Sequence, residues 1–261
     1  MLKALSSAAT GMIAQQTNLD VIANNIANVN TLGYKKVRAE FQDLITQVDK
    51  MPGAQTGQGT YQPVGLEIGL GVRTSATTRI FTEGVLQATG RPLDVAIEGD
   101  GFFQVTMDDG SVAYTRDGGL KMDANGQVLT TDGYQLQPPI QIPPNQTAIT
   151  ITPDGNVFVQ VAGQTDQTPV GTIQLVRFQN NSGLISIGHN LYRETPASGI
   201  PVPGTPGQEG YGSILQGFVE GSNVQTVEEL INLIKAERAF ESNSKIVTAA
   251  SGILEQTNRM V

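Results

Sequence analysis

Chemistry on this chain would have to start from few residues: one imidazole, His189, and scattered carboxylates. His189 sits in a Gly188-His189-Asn190 run after Ile187, which reads as a turn. A Ser-His-Asp triad needs an imidazole partnered on both sides, and this context favours a structural or surface histidine. Asp94, Glu98 and Asp100 are close along the chain. A working carboxylate pair, however, is defined by its separation in space, which sequence spacing does not set. Asp108 and Asp109 are neighbours on a turn, where both would be solvated. Asp123-Ala124-Asn125-Gly126 opens like a calcium loop. The sixth and twelfth positions of such a loop need Gly and Glu, and here they are Val128 and Tyr134. A hairpin turn is the better reading. There is no cysteine, which removes thiol catalysis, disulfides and zinc–thiolate sites. Neither a phosphate-cradling P-loop nor a Gly-x-Ser-x-Gly turn is present. Asn145 and Asn180 each begin an Asn-x-Ser/Thr triplet, a match common by chance. No catalytic, cofactor-binding or metal-ligating residue is expected, and no cofactor.

Organisation is more legible than chemistry. Leu5, Met12, Leu19 and Ile26 recur every seven residues, within a series Leu2, Leu5, Ala9, Met12, Gln16, Leu19, Ala23, Ile26 spaced alternately by three and four. That is a helical seam, and residues 2–29 read as one helix. Gly11 weakens it by roughly 1 kcal/mol relative to Ala. Asn28, Asn30, Thr31 and Gly33 should end it, Gly33 as a left-handed terminator. At the other end Leu233, Phe240, Val247, Leu254 and Val261 repeat the heptad. Ala236, Asn243, Ala250 and Thr257 fill the alternate positions, and a helix is expected from about Thr226 to Met260. Ser222 or Asn223 could cap it, and Glu228 and Glu229 suit its positive end. Asn243 in the seam either sets register or faces solvent. About eight apolar side chains per arm do not offset the entropy of ordering some thirty residues. The arms are therefore expected to fold only when packed together.

Between the arms the period becomes two. Strands are expected at Leu93–Ile97, Phe102–Met107, Val112–Thr115, Gln127–Thr131, Ala148–Ile151, Val157–Val161 and Thr172–Phe178. Asp109-Gly110, Asp117-Gly118, Asn125-Gly126, Asp132-Gly133 and Asp154-Gly155 mark turns between them. Residues 196–212, rich in Pro, Gly and Ser, read as a loop. Residues 46–71 are too long for an ordinary connection. Tyr61, Val64, Leu66, Ile68 and Leu70 favour an extended stretch ordered by neighbours over a disordered linker. The fold class is thus α+β. The expected divisions are a coiled-coil-like helical domain of residues 1–33 and 222–261, an extended connecting segment 34–71, and a β-rich domain 72–221.

Charge is uneven. Residues 1–50 carry five basic and four acidic groups, and residues 221–261 carry four and five. The surplus of −8 lies in residues 51–220, with seven basic and fifteen acidic groups. Nearly neutral arms can approach copies of themselves, whereas an acidic middle disfavours nucleic acid. No apolar run reaches the 18 residues a membrane span requires. Gln15, Gln16, Thr17 and Asn18 interrupt the apolar stretch near the start, so it does not read as a cleaved leader.

Longer motifs now matter. Residues 15–35, QQTNLDVIANNIANVNTLGYK, resemble the N-terminal signature of bacterial flagellar rod and hook axial proteins. Glu220-Gly221-Ser222-Asn223-Val224, Glu228-Glu229-Leu230 and residues 237–245, ERAFESNSK, are similar to that family's closing signature. Residues 91–103, RPLDVAIEGDGFF, and Tyr114-Thr115-Arg116-Asp117-Gly118 resemble its β domain. Phe240 departs from the pattern, where Tyr is common, without affecting packing. The length and the 46–71 segment are most similar to distal rod members. The resemblance implies a homopolymeric structural subunit of a rigid hollow drive shaft, exported without a cleaved leader through the flagellar export apparatus. It would sit in the basal body and cross the periplasm. Its partners would be proximal rod proteins, the hook protein and the surrounding L- and P-ring proteins. The assembly residues would be Leu5, Met12, Leu19, Ile26, Leu233, Phe240, Val247 and Leu254. Tyr61, Val64, Leu66 and Ile68 are the candidates for bracing neighbouring subunits. The alternatives are a proximal rod or hook-type paralogue, a wall-degrading enzyme, or a secreted β-domain adhesin.

Overall fold

The computed structural model of the chain describes residues 2–53, 55–57, 60–61, 63–163 and 166–259. It divides into two compact units. The first comprises Met1–Ile26, Val37–Thr78 and Gln225–Val261; the second comprises Ala27–Lys36 and Arg79–Val224. The α+β reading holds, with terminal helices around an inserted antiparallel β domain.

In the first unit, α1 runs over Leu2–Ala27 and α2 over Thr226–Arg259. α1 ends two residues before the expected Val29. Thr31 N–H bonds back to the Asn28 carbonyl. Gly33, six residues past the helix end, is not its terminator: it takes a left-handed φ of 66° in the following turn, where a Cβ would meet the Arg116–Asp117 backbone. The strands Val37–Asp43 and Val72–Arg79 pair with each other. Thr10 Oγ1 accepts the Val72 N–H and so fastens this pair to α1. Between them the chain doubles back: Thr46–Lys50 pairs antiparallel with Leu66–Gly69, and Gln55–Gly57 pairs with Thr60–Tyr61. The described strands of the 46–71 segment are therefore extended and paired with one another as a ribbon.

The second unit is built on the strand Phe102–Thr106, whose alternating side chains enter two cores. Phe103 and Val105 join a large aliphatic cluster with Val95, Ile97, Leu136, Val159, Leu175 and Ile214. Phe102 joins a smaller aromatic one with Tyr114, Phe178 and Tyr192, whose rings meet edge to face, the favoured arrangement. Val112–Thr115 pairs along one edge of this central strand. Gln135–Gln137 and Leu175–Arg177 share the other edge. Gln146–Ile151, Asn156–Val161 and Gln167–Thr172 form a separate three-stranded sheet.

Several sequence expectations change here. Residues 196–212, expected as a loop, contain the strand Val202–Gly204, which pairs antiparallel with Leu175–Arg177. The single strand Thr172–Phe178 is really the end of Gln167–Thr172 and the start of Leu175–Arg177, which lie in different sheets with buried Ile173 at the switch. Asp117-Gly118 is not a hairpin turn. Gly118 is needed because a Cβ there would stand 1.6 Å from the Val95 carbonyl oxygen. The other four Asx-Gly pairs do turn the chain, with glycine φ between 78° and 90°.

Candidate assembly surface

α1 and α2 pack together at Gly11 and Asn243. A Cβ on Gly11 would lie 2.9 Å from Asn243 Nδ2, so the glycine makes room for the seam asparagine. Asn243 is half-buried here, which favours the register-setting reading over the solvated one. On α2, Ala236 and Ala250 are buried and Leu233, Val247 and Leu254 half-buried. Phe240 lies at the edge, 36% exposed. On α1 the inward residues are Ala8, Ala14, Ile22 and Asn25. Leu5, Met12, Leu19 and Ile26 are half-buried on the flank of that face. The small residues face in because they allow close helix approach. The large heptad residues keep surface to spare.

α2 is also apolar on its far side. Val227, Leu230, Ile231 and Ile234 are all exposed. Their i, i+3, i+4, i+7 spacing puts them on one stripe. At about 100° per residue that stripe is diametrically opposite Ala236 and Asn243. Ile246 and Ile253 extend apolar surface along its flank, and α1 exposes Ile13. A helix apolar on opposite faces is one that is covered on both.

The ribbon shows the same excess. Ile45, Val48, Met51, Val64 and Leu66 are exposed, and Ile68 is half-buried. The Tyr61 side chain lies outside the described residues, as do Met260 and Val261. Two strands alone are marginally stable in water, so this ribbon too has unfilled apolar capacity.

Inside the second unit, the signature residues Lys35, Arg116 and Glu220 form a buried ion cluster, each at most 1% exposed. Lys35 Nζ donates to Glu220 Oε1 and to the Thr82 carbonyl. Arg116 Nη1 donates to Glu220 Oε2 at 3.4 Å and Nη2 to the Gly99 carbonyl at 2.8 Å. The Gly84 N–H adds a third donor to the carboxylate. Burial pushes the Lys35 ammonium pKa down, against the opposing pull of Glu220. Asn223 is not a helix cap. Its side chain holds Lys36, Ile80 and Thr82 instead, and Ser222 Oγ accepts the Val224 N–H. The sequence signal for these roles is weak, since a charged residue in a loop motif usually reads as solvated.

Of the chemical candidates, His189 is exposed beside Asp132 at 3.4 Å. Asp94 is buried and bound by both Nε and Nη2 of Arg91. Asp123 accepts the Asn125 and Gln127 N–H groups as a turn. These are structural fastenings.

Comparison with known proteins accounts for the signatures. Residues 5–35 match the flagella basal body rod protein family. Residues 96–159 match the D1 domain of flagellar hook protein FlgE/F/G, and residues 215–260 the C-terminal region of flagellar basal body rod FlgEFG proteins. The flagellar basal-body rod protein FlgG of Buchnera aphidicola subsp. Acyrthosiphon pisum is 46% identical over 260 residues, covering 100% of both chains. That of Agrobacterium fabrum is 49% identical over 250 residues, 95% of each. The chain belongs to the FlgG family of flagellar basal-body rod proteins. The hook protein FlgE of Helicobacter mustelae is 44% identical over only 138 residues, 52% of this chain and 30% of that one. Rod-type FlgG sequences therefore match end to end, and the hook sequence matches half. The family places the chain in the flagellar basal body as a structural rod protein.

Proposed function

We propose that the chain polymerises helically as the distal part of the flagellar rod, a stiff hollow shaft that transmits torque from motor to hook. The observation that carries this is the second apolar face of α2, opposite the one that packs on α1. Such a face fits a neighbouring copy. A heterologous contact whose rotation does not close generates an open helical filament. Leu5, Met12, Leu19, Ile26, Leu233, Phe240, Val247 and Leu254 would complete those contacts. In this reading the terminal helices line the shaft and the acidic β unit faces outward, towards the surrounding ring proteins. Proximal rod proteins and the hook protein join its ends. The subunit reaches the periplasm through the flagellar export apparatus.

The ribbon Thr46–Gly69, with exposed Val64 and Leu66 and half-buried Ile68, braces adjacent copies and keeps the shaft straight. Deleting residues 46–71 should give a polymer that bends. Unchanged curvature and stiffness in electron micrographs would refute the brace. The reading assigns no catalysis, and a peptidoglycan zymogram of the purified chain should be blank; a cleared band would favour the wall-enzyme alternative.

A further inference from the structure

The chain passes between its two units four times, at residues 26–27, 36–37, 78–79 and 224–225. Each side of these passages holds one asparagine whose side-chain amide ties several of them together. In the first unit Asn25 is 1% exposed. Its Oδ1 accepts the Val37 N–H at 3.0 Å, and its Nδ2 donates to the Val37 carbonyl at 2.8 Å. Asn25 thus presents the paired donor and acceptor of a strand neighbour to the first residue after the second passage. The same Nδ2 reaches Glu229 Oε2 at 3.3 Å, just after the fourth.

In the second unit Asn223 repeats the arrangement. Its Oδ1 accepts the Lys36 N–H at 2.6 Å, just before the second passage. Its Nδ2 donates to the Ile80 carbonyl and to Thr82 Oγ1, both at 2.9 Å, just after the third. Asn223 itself precedes the fourth. Only a carboxamide offers a donor and an acceptor on one short planar group. A carboxylate would lose the donor and set its charge against backbone carbonyls.

We propose that Asn25 and Asn223 are positioning residues for torque transfer, each binding the passages on its own side so that they share load. This rests on the shaft reading above. Untied, the four connections would be strained one after another; tied, they resist together. The tie is separate from the polymer contacts, because neither asparagine belongs to the exposed apolar stripe.

The test uses Asn223→Ala and Asn25→Ala in the full chain. In purified protein, hydrogen exchange at the Lys36 amide (Asn223→Ala) and the Val37 amide (Asn25→Ala) should quicken by about tenfold or more, as local opening no longer breaks a side-chain bond. Amides of the strand Phe102–Thr106 should keep their rates. In cells, the variants should build hooks in normal number and rotate tethered beads normally at low load, but fail at high load. Wild-type load dependence, loss of rotation equal at all loads, or failure to build hooks would each overturn the proposal. Unchanged Lys36 and Val37 exchange would do the same. Deleting the whole chain is scored in parallel. If hooks and filaments still form and turn, the shaft reading itself has failed, whatever the asparagine variants do.

Discussion

At the scale of residues, the most demanding feature is the Lys35–Glu220–Arg116 cluster. Two cations share one carboxylate out of water, and removing one partner of a buried ion group strands the others. Glu220→Ala should therefore cost about 3–5 kcal/mol, read by urea unfolding of the purified chain. A loss below about 1 kcal/mol would mean that water reaches the site on relaxation. Asp117 makes a contrasting case. Burial raises its pKa above the ordinary 3.8, Asp132 and Asp94 add to the rise, and the Gly119 N–H opposes it. A carboxyl with a raised folded pKa contributes stability that is whole below its unfolded pKa and lost as pH rises through its folded pKa. At neutral pH Asp117 is thus a charge the fold would rather not carry. Asp117→Asn, which keeps an acceptor for Gly119, should raise the melting temperature at pH 7 and leave it unchanged near pH 3. Equal shifts at both pH values would rule out charge as the cause. Neither role was legible in sequence. Lys35 and Asp117 look like ordinary loop charges until folding brings Glu220, 185 positions away from Lys35, and the other carboxylates around them.

Elements were read more reliably than residues, and where the reading slipped the reason is physical. Both helices follow from heptad spacing, and on α1 the most buried positions, Ala8, Ala14 and Ile22, lie beside the half-buried heptad residues rather than on them. Ala8 and Ala14 are buried, and between them Gly11 lies against Asn243 of α2, a close approach that a small residue permits. Leu5, Met12 and Leu19 are left on the flank. The strands around Phe102 and Val112 were legible from alternation. Val72–Arg79 was not, because its Thr/Ser/Arg run carries no period-two signal; Val37–Asp43 does alternate Val37, Ala39 and Phe41 with polar residues, but in a run short enough to be passed over beside the helix end. Gly11 offers a direct test of helix approach. Gly11→Ala gains up to about 1 kcal/mol of helix propensity, and the new methyl meets only the flexible end of Asn243. It should leave thermal stability equal or slightly higher. Gly11→Leu cannot be absorbed this way and should cost about 1–3 kcal/mol by overpacking. If both variants melt alike, the helices are not in close contact at this point.

At the scale of the whole molecule, the fold's inner and outer needs separate on a single helix. α2 meets α1 where Asn243 lies against Gly11, with Ala236 buried on the same side of the helix, and this face serves the lone subunit. Val227, Leu230, Ile231 and Ile234 on the opposite stripe stay 45–72% exposed among the described residues. Isolated exposed apolar residues are unremarkable, but a contiguous stripe marks an interaction site. The nearly neutral net charge of both terminal segments removes the main barrier to like copies meeting there. These two faces can be separated by mutation. The double substitution Ile231→Glu with Ile234→Glu adds charge only on the solvent side, so the purified chain should keep its stability to within about 1 kcal/mol. Cells carrying it should build no rod beyond the point where this subunit enters, and so no hook, seen in micrographs of isolated basal bodies. Ala236→Glu instead buries a charge and should unfold the helical unit before assembly is at issue. A double variant that still builds hooks would show that the stripe is not the polymer contact. One that loses several kcal/mol as a monomer would show that the stripe was never free.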